Sequence, residues 1–309
     1  MNKNCVCLGS ELARYGFGDP HPFGTDRMGA FQREFEARRL DRAWRVIAPQ
    51  SAPLETLALF HAPDYIQRLQ TGSETGKGFL DGGDTPAFQG VLEASLTVAG
   101  TVIHAAGKLM AGECRHAFVP IAGLHHARRD SAAGFCAIND CGIVIEYLKK
   151  HHGLECIAYV DIDAHHGDGV FYAFEDDPAV IFVDFHEDGR YLYPGTGDAA
   201  ETGKGKAKGL KLNVPLPPQA TDALFEKLWP AAEHFLQKHD IQFCILQAGA
   251  DSIAGDPITS LRLSPAIHAR VAQSLSRLPC RKLLMLGGGG YNRNNLAQTW
   301  NGMLQALSG

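Results

Sequence analysis

Short apolar runs recur along the sequence, and patterns with helical period fill most of the intervals between them. The runs at residues 5–8, 117–121, 156–162, 180–185, 243–247 and 283–286 are rich in Val, Ile, Leu and Phe and too short for helices, so they predict buried strands. Helical stretches are expected near 27–47, 54–70, 88–111, 139–151, 221–238, 265–278 and 294–307. Ser264 followed by Pro265 makes a helix start, with a capping hydroxyl ahead of proline at the first helical position, and Pro279 closes the same helix. Strand and helix in alternation predict βα units around a parallel sheet, an α/β fold. No linker rich in Pro, Ser or charge interrupts the pattern and no repeat is visible, so residues 1–309 are expected to form a single domain.

Composition narrows the partners. With 45% hydrophobic residues among 309, a large core can be buried, yet no apolar run approaches the roughly 20 residues of a membrane span. The opening MNKNCVCLGS has no apolar core or cleavage site of a secretory signal. The net charge is −5 and the densest basic run is the KGKAKG of 204–209, so neither nucleic acid nor membrane is expected as a partner. Eight cysteines without a CxxC pair read as reduced thiols of a cytoplasmic protein. The stretch 187–220 is rich in Gly, Lys and Pro but is no phosphate loop: Gly197 and Gly203 are five residues apart, and Gly205 stands where a hydroxyl is needed. The glycines at 287–290 do not make a dinucleotide fingerprint either.

Four segments carry chemistry, and each follows a predicted strand, where ligands of open parallel sheets bind. In AYVDIDAHHGDGV, Asp161, Asp163 and His165 alternate at period two, so all three can project to one side. Asp with His is a donor set suited to Zn²⁺ or Fe²⁺. A solvated loop would explain one Asp-x-His, but two aspartates, two histidines and a third Asp within eight residues point to a metal. In GLHHARRDSAAGFCAIND, adjacent His125 and His126 suit general base and acid work, with Asp161 and Asp168 left over to orient them. A surface pair describes His151 and His152 better. In LQAGADSIAGDP, Asp251 sits where a third metal ligand is expected, and Asp256 before Pro257 reads as a turn residue. In LMLGGGGYNRNN the glycines allow close backbone approach and bring in Tyr291, whose phenol can donate to a developing oxyanion.

In order and spacing, GLHHARRDSAAGFCAIND, YVDIDAHHGDGV, YPGTGD, GADSIAGDP and LGGGGYN resemble the arginase–deacetylase superfamily, from about residue 59 to 305. More narrowly they resemble the zinc-dependent histone deacetylases and their bacterial relatives, including acetoin-utilisation-type proteins and acetylpolyamine amidohydrolases. The resemblance implies an eight-stranded parallel sheet flanked by helices. It implies zinc on Asp163, His165 and Asp251, with iron as the alternative. His126, oriented by Asp168, would be the general base, and His125, paired with Asp161, would help protonate the leaving amine. Tyr291 would polarise the substrate carbonyl. Gly134, Phe135 and Tyr193 would wall a tunnel around the alkyl amine stem, Gly289 and Ile258 would contact substrate, and Asp84 would hold the substrate backbone at the rim. Arg27 aligns with an arginine behind the site. A structural potassium would sit on carbonyls around Asp161, Asp163 and His165, completed from Asp184, Phe185 and His186.

The pattern departs from the family at two places. Tyr193 stands where many deacetylases have Phe, and Ile258 where a polyamine-selective branch has Glu. The implied substrate is therefore an acylated lysine peptide or protein, or a small acylated amine, with acetylpolyamine the alternative. A two-manganese ureohydrolase needs extra carboxylates where this sequence has Gly167 and Ile253. An acyl-lysine binding protein without catalysis would be expected to lack Tyr291 or a histidine of the pair. No oligomeric state follows from the residues.

Overall fold

The computed structural model describes residues 4–309. Its centre is one eight-stranded parallel sheet formed by β1 (Asn4–Cys7), β2 (Trp44–Ile47), β3 (His116–Val119), β4 (Ile157–Asp161), β5 (Val180–Glu187), β6 (Lys211–Leu216), β7 (Phe243–Gln247) and β8 (Leu283–Leu286). The order across the sheet is β2-β1-β3-β8-β7-β4-β5-β6. The expected α/β class and the eight strands are both observed.

Six strands were expected from apolar runs, and the two that were not are the two edges, β2 and β6. Central strands are covered on both faces and need continuous apolar residues, whereas edge strands do not. In β2 only Trp44 is fully inside, while Arg45 and Val46 are exposed. In β6 buried and half-buried positions are mixed, and Pro215 is admissible because an edge strand has ladder donors to spare. The helix expected at 27–47 is accordingly cut short. It ends at Ala37, Arg39 turns the backbone in the left-handed region with φ 54°, and β2 follows. The helix expected at 54–70 is a 3-10 turn, Leu54–Leu59, and then a separate α-helix opened by Pro63.

Helices pack on both faces. α3 (Val91–Met110) and α4 (Asp140–His152) bury Val98, Val102, Ile143 and Leu148 against one side, while α2 (Pro63–Thr75) packs on α3. On the other side lie α1 (Arg27–Ala37), α6 (Asp222–Gln237), α7 (Pro265–Ser276) and α8 (Arg293–Ala306), with Phe31, Trp229, Val271 and Trp300 in the core. α5 (Asp168–Ala173) is a short helix that periodicity did not reveal. Ser264 caps α7 as expected, accepting from the Ala266 N–H at 3.3 Å. No helix among the described residues is long and apolar enough to cross a membrane.

The four chemical segments follow β3, β8, β7 and β4, which are contiguous in the middle of the sheet. Val119, Leu286, Gln247 and Asp161 are in register across them, so the segments leave the sheet at one level. Trp300 anchors the β7 exit, its Nε1 donating to the Ala248 carbonyl at 2.8 Å in the core. Trp300→Phe keeps an aromatic ring but strands that buried carbonyl, and an expected loss of about 1–3 kcal/mol in stability is checked by denaturant unfolding.

Candidate active site

His125 and His126 lie in the loop after β3, and their fixed geometry comes from the start of α4. The Asn139 amide donates to the His125 and Ala127 carbonyls at 3.3 and 2.8 Å while its oxygen caps α4 through Gly142 N–H. The fully buried Asp140 carboxylate accepts the N–H groups of Gly123 and Leu124 at 2.8 and 2.7 Å. Held in this way, His125 donates from Nδ1 to Asp161 Oδ2 and His126 from Nδ1 to Asp168 Oδ1, both at 2.8 Å. The two Nε2 atoms then face each other at 3.1 Å.

Two imidazoles that close do not both hold a second proton. Burial opposes charge on His125, but the Asp161 and Asp163 carboxylates outweigh it and lift the group to about 10. Burial and the neighbouring His125 charge push His126 down to about 4. The pair therefore contains one proton holder and one neutral acceptor.

Beside them, the donor atoms of Asp163, His165 and Asp251 lie within 4.8 Å of one another, all buried. His165 Nδ1 is 3.1 Å from Asp163 Oδ1 and 3.2 Å from Asp251 Oδ2. Asp161 and Asp184 are also buried nearby, and among the described residues only histidines make ion-pair contact with these four carboxylates. So much buried negative charge calls for a cation. Burial and the Asp163 charge push Asp251 up to about 7. Burial opposes charge on His165, but Asp163 and Asp251 outweigh it and raise the group to about 10, so the cluster draws positive charge to this point. Two carboxylates and an imidazole this close together fit one divalent ion of the zinc or iron type.

Backbone presses directly on these carboxylates. Gly289 N–H and the Gln247 amide both donate to Asp163 Oδ2 at 2.9 Å, and Ala164 N–H donates to Asp251 Oδ1 at 2.8 Å. A Cβ on Gly289 would overlap Asp251 and Asp163, and one on Gly249 would overlap Asp163. Tyr291 follows the glycines, positioned by Asp256 Oδ2, which accepts its N–H at 2.8 Å. Asp256 also makes the expected turn, accepting from Ile258 N–H at 3.1 Å. Burial and the Asp251 and Asp163 charges hold the Tyr291 phenol well above its ordinary value, which keeps it a donor.

A small cavity of about 10 Å³ is bounded by His125, His126, Gly134, Asp163, His165, Gly289 and Tyr291 among others, so these expected residues meet. The Phe135 and Tyr291 ring centres are 5.8 Å apart and those of Tyr193 and His126 5.1 Å, so Phe135 and Tyr193 lie next to residues that border it. Asp84 lies further out with Tyr193, on a cavity of about 510 Å³ open to solvent. Arg27 is fully buried behind the glycines, donating to the Gly290 and Gly288 carbonyls at 3.0 and 2.6 Å. Ile258 is partly exposed and lines neither cavity. Asp184 accepts from Gly167 N–H at 2.9 Å and from His186 Nδ1 at 2.7 Å. The Phe185 ring points away, against Phe225 and Trp229, so only its backbone could serve an ion there.

Four further residues that are inconspicuous in the sequence complete the site: Gln247, Tyr159, Asn139 and Asp140. Tyr159 donates to Asp161 Oδ2 at 2.7 Å. Gln247 carries one signal, a lone amide closing an apolar strand.

The histone deacetylase domain family matches residues 21–307 of this protein. The sequence is 36% identical over 304 residues to the acetoin utilization protein AcuC of Bacillus subtilis (strain 168), which covers 94% of it and 78% of that relative. It is 36% identical over 287 residues to histone deacetylase 8 of Xenopus tropicalis, covering 89% and 76%. A crystal structure of an HDAC homolog complexed with SAHA matches with a TM-score of 0.90 and 30% identity, over 99% of this protein and 84% of that one. Fold and relatives together define an amide hydrolase of the deacetylase class. Within that class, the protein belongs to the histone deacetylase family.

Gly249→Ala and Gly289→Ala each force a methyl into the carboxylate cluster. Either variant is expected to fold but to retain little divalent metal, as read by elemental analysis beside thermal unfolding.

Proposed function

We propose that this protein is a zinc-dependent deacylase that hydrolyses N-acyl amides of lysine-like amines, acetyl foremost, with residues 1–309 as one catalytic domain. The observation that carries the reading is the meeting of His125, His126, Asp163, His165 and Tyr291 around one cavity at the centre of the sheet. Asp163, His165 and Asp251 hold the ion, with iron as the alternative. When bound, it supplies a Lewis acid that polarises the acyl carbonyl and lowers the pKa of an attacking water to about 7.

His126, neutral and with Nδ1–H fixed on Asp168, presents Nε2 to take the proton of the attacking water. Tyr291 donates its phenol hydrogen to the carbonyl oxygen as negative charge develops there. The amine leaves only when protonated, and His125, charged and anchored on Asp161, is the nearest store of a proton. Gly134, Phe135 and Tyr193 grip the alkyl stem and exclude water from it, Gly289 borders the acyl group, and Asp84 holds the amine's head at the rim. Ile258 stands where the polyamine-selective branch carries a carboxylate, which disfavours acetylpolyamine. A potassium ion on the backbone around Asp161, Asp163 and His165, closed by Asp184 and Phe185, would offset the remaining buried charge. Eight free cysteines, six of them buried, support a reducing, cytoplasmic setting.

The reading is tested by assaying an acetyl-lysine peptide, acetylputrescine and acetylspermidine beside metal content. About one divalent ion per molecule is expected, with activity lost on chelation and in Asp251→Ala, whereas two manganese ions per active molecule would overturn it. Hydroxamates with an alkyl or aryl-alkyl stem are expected to bind the metal-loaded protein in calorimetry. Tyr291→Phe is expected to lower kcat by about 10²–10³ with metal content unchanged. A kcat within a few-fold of the parent would show that the phenol has no such role.

A further inference from the structure

The deacylase reading leaves open what the amine carries beyond its stem, and the rim holds charges of both signs. The outer cavity of about 510 Å³ is lined by Asp81, Asp84, Arg128, Ser131 and Tyr193 among others. Asp81 is occupied by its own loop: its Oδ1 accepts the N–H groups of Gly83, Asp84 and Thr85 at 2.9, 3.1 and 3.0 Å. Asp84 is exposed and accepts the Phe135 N–H together with a share of the Thr85 hydroxyl, at 3.2 Å, since that hydroxyl also bonds Asp81. Burial of the carboxyl and the facing Asp81 push Asp84 up to about 6. Asp84 is thus the carboxylate on this rim that gains most from a cation.

Arg128 supplies the opposite charge. Its side chain is 61% exposed, and its ion pair is a 3.5 Å contact with Asp168 Oδ2, too long for a good hydrogen bond. The planar fork of donors is therefore available to a carboxylate, which it binds two-pronged.

One aromatic ring, that of Phe135, contacts both Tyr291 of the inner cavity and His21 beside the Asp84 loop. The Phe135 ring centre lies 5.8 Å from that of Tyr291 below and 4.5 Å from that of His21 above, and His21 Nε2 donates to the Asp84 carbonyl at 3.1 Å. On the other wall Tyr193 spans from the His126 ring, at 5.1 Å, to the outer cavity. A lysine stem passing this layer delivers its α-carbon to the rim.

Resting on the deacylase reading, we propose that the rim selects the single amino acid Nε-acyl-lysine, with Asp84 taking the free α-ammonium and Arg128 the free α-carboxylate. Hydrolysis then breaks the side-chain amide C–N bond, water supplying hydroxyl to the acyl group and hydrogen to the amine, and releases lysine and a carboxylic acid. An acyl-lysine within a peptide offers only neutral amides to both residues, and a charge-assisted bond is roughly twice as strong as a neutral one. An acylated polyamine brings a further cation toward Arg128 and nothing to satisfy it.

The test uses the zinc-loaded enzyme on Nε-acetyl-L-lysine, its α-carboxamide, its Nα-blocked form, an internal acetyl-lysine peptide and acetylcadaverine. Blocking either charge is expected to raise KM by about tenfold or more, with kcat changed only a few-fold. Arg128→Gln is expected to erase the difference between acid and carboxamide, and Asp84→Asn the difference between free and Nα-blocked forms. Both readouts are ratios, so a general loss of activity in either variant does not imitate them. Equal kcat/KM across the series, or preference for the internal peptide, overturns the zwitterion assignment and leaves the deacylase reading standing. No turnover of any of the five overturns the deacylase reading and this assignment with it.

Discussion

Four aspartates, Asp161, Asp163, Asp184 and Asp251, are buried together where the central strands end, and among the described residues only histidines pair with them. Ionised carboxylates in such a place are tolerated only when positive charge and hydrogen-bond donors converge on them. Most of the local architecture answers that demand. Gly289, Ala164 and Gly167 bring backbone N–H groups, Gln247 brings an amide, and Tyr159 a hydroxyl. Glycine is needed at 249 and 289 because a Cβ on either would occupy the space that the carboxylates need. What the backbone cannot supply is net positive charge, and that is the physical case for a divalent ion at this point.

The same field separates two chemically identical neighbours. Burial disfavours charge on both, but Asp161 and Asp163 outweigh it on His125 and lift that group to about 10, while on His126 burial and the charge of His125 prevail over Asp168 and push it down to about 4. The carboxylates around each imidazole thus set the two apart, one favouring the charged form and the other the neutral form. The arrangement rests on a second layer, Asn139 and Asp140 at the head of α4, which ties the loop carrying both histidines to the core. Away from this centre the outer cavity is shaped by other loops, which bring Tyr193, Asp84 and Arg128 to its lining.

Legibility in the sequence followed burial and local spacing. The six central and near-central strands were readable because both faces are covered and their residues are largely apolar, whereas β2 and β6 at the edges mix exposed or half-buried residues with buried ones. Asp161, Asp163 and His165 were readable because period two places them on one side of a strand end. Gln247, Asn139 and Asp140 were not, because their importance lies in bonds to residues 12 to 124 positions away. Asp256 read as a turn residue and is one, but its second oxygen holds Tyr291, a contact across 35 positions.

By itself, then, the order of residues determined the α/β class, the four chemical segments and their family, since each depends on a short window of residue types and spacing. The order of strands belongs to the tertiary structure alone. It sets β3, β8, β7 and β4 side by side, so that segments up to 166 residues apart, from His125 to Tyr291, close on one cavity. The unequal histidines, the glycines pressed against carboxylates and the charges of both signs at the rim were likewise decided there. Electrostatic fields and close contacts depend on distance in space, which spacing along a sequence does not encode.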